Sequence, residues 1–169
     1  GAVPGALRDA AAALAGPIEV FEWVRNQVRP EFYHGQMKGA LETYEERGGN
    51  DADTAAVLVE MLRAKGVPAR YARGVIEVPA STLVSVTGVA NVPQALLVLE
   101  RAGIPHEAIA GGGGTVAVRL SRVWVEAYLP YANYRGAVID SQGSVWLSLD
   151  PAFKAMGSPA GLDVTQALG

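Results

Sequence analysis

Apolar positions in the first third of the chain recur at three- and four-residue steps, which is the spacing of one helical face. Four residues follow this period behind Gly16 and Pro17: Val20, Phe21, Val24 and Val28. Proline suits the first turn of a helix and stops one that is already running, as Pro30 would here. The pattern predicts a helix over 17–28 and another over 34–46. Residues 1–16 are predicted to be a short helix or a frayed lead-in.

The segment from Asp51 to Lys65 is predicted to be a buried central helix. Its apolar residues cover most of the helical circumference: Val57, Leu58, Val59, Met61 and Leu62. A helix without a polar face is normally enclosed by the rest of the domain. Asp51 is the predicted N-cap, and Gly66 with Pro68 marks the end of the helix.

Beyond Gly66 the apolar period changes to two, which is typical of strands. The predicted strands are Ala69–Val78, Thr115–Leu120, Arg122–Tyr128 and Ser144–Leu149. Between them, 79–92 has a loop-like composition, 93–102 has a helical one, and the glycines from Gly111 to Gly114 suit a hairpin tip or a flap.

Helices followed by strands indicate an α+β fold, in which the central helix packs on an antiparallel sheet. The predicted domain covers 17–154, and 155–169 is a predicted tail or linker. In this arrangement Trp124 and Trp146 are expected to pack the sheet against the central helix.

Composition narrows the functional classes. The chain has 169 residues, 50% of them hydrophobic, with a net charge of −3. Lys and Arg form no stripe, which argues against a nucleic-acid partner. No apolar run approaches the roughly 20 residues of a membrane span, so membrane insertion is not expected. The chain contains no cysteine, which excludes thiol nucleophiles, disulfides and thiolate metal sites. The two histidines, His34 and His106, have no metal-ligand spacing, so no metal or cofactor is predicted.

Three segments together resemble the transglutaminase-like superfamily, whose core is papain-like. The segments are Gly49–Gly74 with its Leu-Arg and Gly-Val-Pro-Ala-Arg run, Arg122-Val-Trp-Val-Glu-Ala-Tyr128, and Trp146-Leu-Ser-Leu-Asp-Pro151. They follow one another in the order that this family shows. The resemblance implies a helix packed on an antiparallel sheet, with a catalytic Cys, His and Asp brought together at one end of the helix.

A narrower similarity points to the transglutaminase-like regions of large bacterial Rhs/YD-repeat surface or toxin proteins. It rests on short motifs along most of the chain: Tyr33-x-Gly35, Met37-Lys-Gly-Ala40, Gly49-Asn50, Tyr134-Arg-Gly136 and Leu149-Asp-Pro-x-Phe-Lys154. The N-terminus lacks an initiating Met, as expected of a domain cut from a longer protein. This similarity implies a secreted or cell-surface setting, with a peptide or neighbouring domains of the parent protein as partners.

The resemblance places two substitutions at the catalytic positions. The family cysteine falls on Asp51, the histidine on Arg122, and the orienting aspartate on the retained Asp150. Asp51 and Arg122 would replace a thiolate–imidazolium pair by another ion pair of the same polarity, and the guanidinium could also bond Asp150. The simpler alternative is that Asp51 is only a helix cap and Arg122 only a surface residue.

Two functions from different classes remain open. The first is a degenerate domain, a pseudoenzyme that acts as a binding or scaffold module, with Asn50, Trp124, Tyr131 and Tyr134 as possible cleft residues. For the two tyrosines the alternative is a loop packed on the sheet. The second function is an active amide hydrolase or acyltransferase with a rearranged site that uses Asp51, Arg122, Asp150 and His34. A histidine in reach of the cleft would give the second function its general base.

Overall fold

The computed structural model describes residues 1–130 and 143–151. The helices are α1 (Gly5–Ala12), α2 (Pro17–Gln27), α3 (Gly39–Glu46), α4 (Asp51–Ala64), α5 (Ala80–Thr87) and α6 (Val92–Arg101). The strands are β1 (Arg29–Pro30), β2 (Gly48–Gly49), β3 (Ala69–Pro79), β4 (His106–Gly111), β5 (Gly114–Pro130) and β6 (Ser144–Leu149). Helices and an antiparallel sheet confirm the predicted α+β class.

Helix α4 is the buried central helix that the sequence predicts. All residues from Ala52 to Val59 are buried. The predicted N-cap at Asp51 is wrong by one residue: the cap is Asn50, whose side chain accepts the Asp53 amide at 2.9 Å. At the other end Gly66 has a φ of +76°, and the Val67 amide bonds the Leu62 carbonyl at 3.0 Å. This is a Schellman ending, for which glycine is the favoured residue.

The long strand β5 organises the sheet. Strand β3 pairs with it antiparallel along one edge, from Ala69 opposite Ala127 to Pro79 opposite Ala117. Two short strands share the other edge: β4 pairs with the first half of β5 up to Leu120, and β6 pairs with the second half from Val125 onward. Within the described residues, the stretch 121–124 therefore has a strand on one edge only.

The two hydrophobic clusters lie on opposite faces of this sheet. In β5 the residues Val125, Ala127 and Leu129 belong to the cluster that contains α4, whereas Val118 and Leu120 belong to the cluster that contains α5 and α6. Side chains alternate between faces along a strand, and the two sets have opposite parity. The helix layer thus changes face close to the stretch 121–124.

Several predicted boundaries need correction. The predicted helix over 34–46 begins only at Gly39, because the amides of residues 37–39 bond a side chain of α4 instead. The predicted loop over 79–92 contains α5, whose Leu83 is buried in the second cluster. The two predicted strands before and after Ser121 are one strand. His106 begins β4, a strand that the sequence pattern did not predict.

The N-terminal helix α1 is part of the main core, since Leu7 and Ala11 are fully buried there. The predicted tail over 155–169 lies outside the described residues. Among the residues described, no single helix is long and apolar enough to cross a bilayer, and only the pair α5 and α6, bent by 65°, meets that length and composition together.

Candidate functional site

A cleft of about 410 Å³ lies at the N-terminal end of α4. This volume is in the range of small-molecule and short-peptide sites. Three parts of the chain line it: segment 30–36, residues 49–52 at the start of α4, and the paired strands at 73–75 and 121–123. An apolar wall completes it, formed by Leu83, Val86, Leu99, Ile104 and Leu120.

Asp51 stands in the first turn of α4 and closes the gap on the edge of β5. On that edge the Ser121 amide bonds the Pro105 carbonyl at 3.0 Å, just before β4. The next amide that faces the gap belongs to Val123, and it donates to Asp51 Oδ2 at 2.6 Å. The other oxygen, Oδ1, accepts the Ala52 amide at 2.9 Å. A carboxylate at a helix N-terminus is favourable, so Asp51 fastens the helix to the sheet.

Arg122, the residue before Val123 in β5, forms an ion pair with Asp150. The Nη2 atom of Arg122 donates to both carboxylate oxygens of Asp150, at 2.7 and 2.8 Å. The two side chains are only 10% and 20% exposed. A pair so little exposed is screened weakly by water, and removing either residue costs the other this contact.

The structure thus brings the three predicted triad positions to one region. Arg122 bonds Asp150, but the predicted ion pair between Asp51 and Arg122 is not found among the described residues. Asp51 has both oxygens engaged by backbone amides, and the cap role belongs to Asn50 next to it. Through these two bonds Asp51 anchors the end of the helix to the sheet.

Sequence reasoning missed the most highly bonded carboxylate of the site, Asp53. It is fully buried, and it accepts the Tyr33 hydroxyl at 2.6 Å. It also accepts three backbone amides: those of Met37, Lys38 and Gly39, at 3.2, 3.2 and 2.9 Å. These contacts fix residues 31–39, hereafter the rim loop, which forms one side of the cleft.

Asn50 and Lys38 add to the fixation of the rim loop. The Asn50 side-chain amide donates to the carbonyls of Tyr33 and Gly35, at 3.0 and 2.7 Å. Lys38 Nζ contacts Glu31 at 2.7 Å and Glu46 at 2.5 Å. The Asn-x-x-Asp spacing at the start of α4 resembles a capping box. It was the one sequence signal that could have drawn attention to Asp53. It predicts local bonds, whereas the carboxylate of Asp53 binds a segment 14–20 residues away.

The Tyr33 hydroxyl is held in its neutral form. Burial raises the pKa of Tyr33 well above its ordinary value, and the hydrogen bond to Asp53 raises it further. A neutral phenol can donate to Asp53 and accept the Asn50 amide, at 3.1 Å, at the same time. Tyr33 therefore links Asp53 to the Asn50 amide as a structural group.

The remaining predicted site residues are placed as follows. Asn50 lines the cleft, and Trp124 is absent from the described lining. Tyr131 and Tyr134 lie outside the described residues. His34 is exposed and lines the cleft, whereas His106 lies at the start of β4 with Nδ1 2.8 Å from the Ile104 carbonyl oxygen. Among the described residues no group of three or more His, Asp or Glu side chains is arranged to hold a metal ion.

The predicted packing of two tryptophans against α4 is wrong. Trp124 alternates with Val123 and Val125 and rests on Gly74 of the neighbouring strand. Trp146 is exposed, with its ring 5.4 Å from that of Tyr128. Small aliphatic side chains fill the space under α4, so the aromatic rings occupy the opposite face.

The contact with Trp124 makes Gly74 sensitive to substitution. A Cβ atom at Gly74 would lie 2.9 Å from the Trp124 ring. We expect Gly74→Ala to destabilise the domain by about 1–3 kcal/mol, because a rigid ring has to move. Urea unfolding of this variant and of Gly114→Ala measures the effect. The second glycine also lies in a strand but has no atom within 4 Å of its Cβ position; equal stabilities would contradict the expectation.

Comparison with known proteins identifies the family. The family profile described as Transglutaminase-like superfamily matches residues 6–151. No curated protein and no solved structure gives a significant match. The matched range runs from α1 to Pro151, and so it includes the cleft and the three positions to which the sequence resemblance assigns the triad.

Proposed function

This chain belongs to the transglutaminase-like superfamily, and from that premise we propose that it is a catalytically degenerate member that binds a peptide or a neighbouring domain in its cleft. The observation that carries the proposal is the state of the nucleophile position. Asp51 stands where the resemblance places the cysteine, and both of its oxygens accept backbone amides. No thiol exists in the chain to form an acyl-enzyme.

We propose that the position of the general base, now Arg122, has also lost its catalytic role. Arginine side chains do not act as bases near neutral pH, and the guanidinium of Arg122 is bound to Asp150. A general base must accept a proton from the nucleophile or from water, and a paired guanidinium cannot do so. The same contacts keep the cleft intact, because they satisfy the helix end and the sheet edge that the family's catalytic residues occupy.

We propose that the domain works as part of a larger exported bacterial protein of the Rhs/YD-repeat kind. In this setting the cleft holds a peptide segment of the parent protein or of a partner, and the domain serves as a binding or scaffold module. The proposal excludes nucleic acid, membrane insertion and a bound cofactor from its function.

Turnover and binding are the two measurements that test this function. Incubating the chain with a peptide mixture and following masses over time is expected to give no cleavage, deamidation or acyl transfer. Panning a random peptide library against the ¹⁵N-labelled chain, then mapping the selected peptides by chemical-shift changes, is expected to place them in the cleft. Turnover that disappears in Asp51→Ala would contradict the proposal. Selected peptides that map outside the cleft would also contradict it.

A matched pair of exposed valines sharpens the binding test. Val75 lines the cleft and is 65% exposed, whereas Val116 lies on the same sheet outside the described lining and is 50% exposed. Lysine at either position keeps the core intact. We expect Val75→Lys to weaken peptide binding at least tenfold and Val116→Lys to leave it unchanged. Equal effects of the two substitutions would contradict binding in the cleft.

His34 favours one alternative, an active amide hydrolase or acyltransferase. It lines the same cleft as Asp51, so a general base is available to a rearranged site. This alternative predicts turnover that falls with the loss of His34. Turnover by the unaltered chain that is lost in His34→Ala but kept in His106→Ala would establish it.

A further inference from the structure

Strand β3 forms an outer edge of the sheet along its whole length. It pairs with β5 from Ala69 to Pro79 without a shift in register. In the part of the chain that the structure describes, no strand lies on its other side. An edge strand presents a series of backbone N–H and C=O groups that can pair with another chain, unless a bulge or a covering segment prevents it. This edge is long and has no bulge.

The hydrogen bonds around β3 show which residues direct their backbone groups outward. The Tyr128 amide of β5 donates to the Pro68 carbonyl at 2.9 Å. Because residues of an antiparallel ladder alternate between bonding the neighbouring strand and facing away from it, the even-numbered residues of β3 bond β5. The odd-numbered ones face outward, and the outward carbonyl of Ala69 accepts Arg63 Nη2 at 3.1 Å. Residues 71–77 beyond this contact form the open edge.

The side chains of the outward-facing residues follow a symmetric order. Tyr71, Arg73, Val75 and Glu77 are all exposed, and they lie on one face of the sheet because they are spaced by two. Val75 stands at the centre and is 65% exposed. A cation and an anion flank it at equal distances along the strand. An edge with this order is complementary in charge to a second copy of itself that runs in the opposite direction.

A two-fold axis perpendicular to the sheet at Val75 produces this match. It places Val75 opposite Val75 of the second copy, and Arg73 opposite Glu77 of the second copy on both sides of the axis. Odd-numbered residues then meet odd-numbered residues, so the outward N–H and C=O groups of both edges can bond each other. Opposite charges directly across a strand pair are stabilising, whereas registers centred on Arg73 or on Glu77 would oppose like charges.

Glu77 remains able to accept a second cation. Within its own chain it contacts Arg119 at 3.2 Å, but Arg119 also contacts Glu107 at 3.7 Å. The Glu77 side chain is 53% exposed, and a carboxylate has lone pairs for more than one donor. The ion pair within the chain therefore leaves Glu77 accessible to an arginine from outside.

We infer that β3 is an interface between two copies of this chain, which pair antiparallel about Val75 and join their sheets into one. The interface is isologous, as expected of a two-fold dimer. The inference goes beyond the proposed function, because it assigns a partner to the edge of the sheet. An unrelated extended peptide could use the same backbone groups, but the order of charges around Val75 favours the second copy.

An exchange of charges tests the register of this dimer. Sedimentation equilibrium of the unaltered chain is expected to show a monomer and a dimer. Arg73→Glu and Glu77→Arg are each expected to raise the dissociation constant of the dimer roughly tenfold or more, since each places two like-charge pairs across the interface. A mixture of the two variants restores both opposite-charge pairs and is expected to form a heterodimer about as stable as the original dimer.

Glu107→Arg is the matched control. It makes the same change at the other acidic neighbour of Arg119, on β4 at the opposite edge of the sheet. It is expected to leave the dissociation constant unchanged. Loss of the dimer in this variant as well would mean that net charge, and not the register of β3, governs association.

Hydrogen exchange at two protein concentrations identifies the paired edge. The amides of Tyr71, Arg73, Val75 and Glu77 are expected to exchange more slowly at the higher concentration. The even-numbered amides between them already bond β5, so they are expected to stay unchanged. Slowing of both sets, or of neither, would place the contact elsewhere.

The outcomes separate this inference from the proposed function. A chain that stays monomeric at all concentrations would overturn the inference, while peptide binding in the cleft would stand. A dimer that persists in both single variants, or a mixture of the variants that forms no heterodimer, would also overturn it. If the outward amides slow only when a library peptide is added, the edge takes a peptide, and the assignment to a second copy is wrong.

Discussion

Replacing Asp53 by asparagine is expected to destabilise the domain by about 3 kcal/mol. Four donors converge on this fully buried carboxylate: the Tyr33 hydroxyl and the amides of Met37, Lys38 and Gly39. An asparagine offers one acceptor oxygen and directs an NH₂ group at donors that already lack partners. Each buried donor left unsatisfied costs about 1–3 kcal/mol. Urea unfolding gives the change in the free energy of unfolding.

Asp9→Asn is the matched control, because it makes the same chemical change at an exposed residue of α1. It is expected to change stability by less than about 0.5 kcal/mol. Hydrogen exchange adds a local measurement: in Asp53→Asn the amides of the rim loop should lose protection before those of α4. A variant as stable as the unaltered chain, with a protected rim loop, would show that other contacts hold this side of the cleft.

The sequence predicts the central layer of the fold because short-range signals specify it. Helix α4 has an apolar circumference and a Gly66-Pro68 ending, and β3 and β6 alternate with a period of two. Helix α5 was not predicted, because Pro79 and the polar residues after it are typical of a loop. Its only fully buried large side chain, Leu83, is fixed by packing on the sheet. Burial against distant residues overrides local preference.

The candidate site is predictable to a different extent at each position. Spacing within the family motifs locates Asp51, Arg122 and Asp150, and the Arg122–Asp150 contact exists. The partner of Asp51 was not predictable. The Val123 amide is available to Asp51 only because β4 and β6 leave a gap on that edge of β5, and β4 itself has no clear sequence signal. Asp53 was missed for a similar reason: its partners belong to a loop that only the tertiary structure brings to α4.

The pair Arg122–Asp150 is expected to show strong coupling in a double-mutant cycle. Asp150→Ala leaves a guanidinium that is 10% exposed without its counter-ion, and we expect a loss of about 3 kcal/mol. Arg122→Met removes the cation but keeps the aliphatic stem that packs beside the cleft. The double variant should recover part of the loss, because no stranded charge remains. Unfolding free energies of the four proteins give the coupling energy, expected at about 2 kcal/mol.

The chain contains its own reference for this cycle in the exposed pair Arg119–Glu77. That pair joins β5 to β3 at 3.2 Å, but its side chains are 51% and 53% exposed. Water screens such pairs, so its coupling should stay below about 1 kcal/mol. If the two cycles gave equal values, Arg122 and Asp150 would be an ordinary surface pair that contributes little to the stability of the cleft. A clear difference would mean that the contact between Arg122 and Asp150 stabilises the cleft, as the proposed binding function requires.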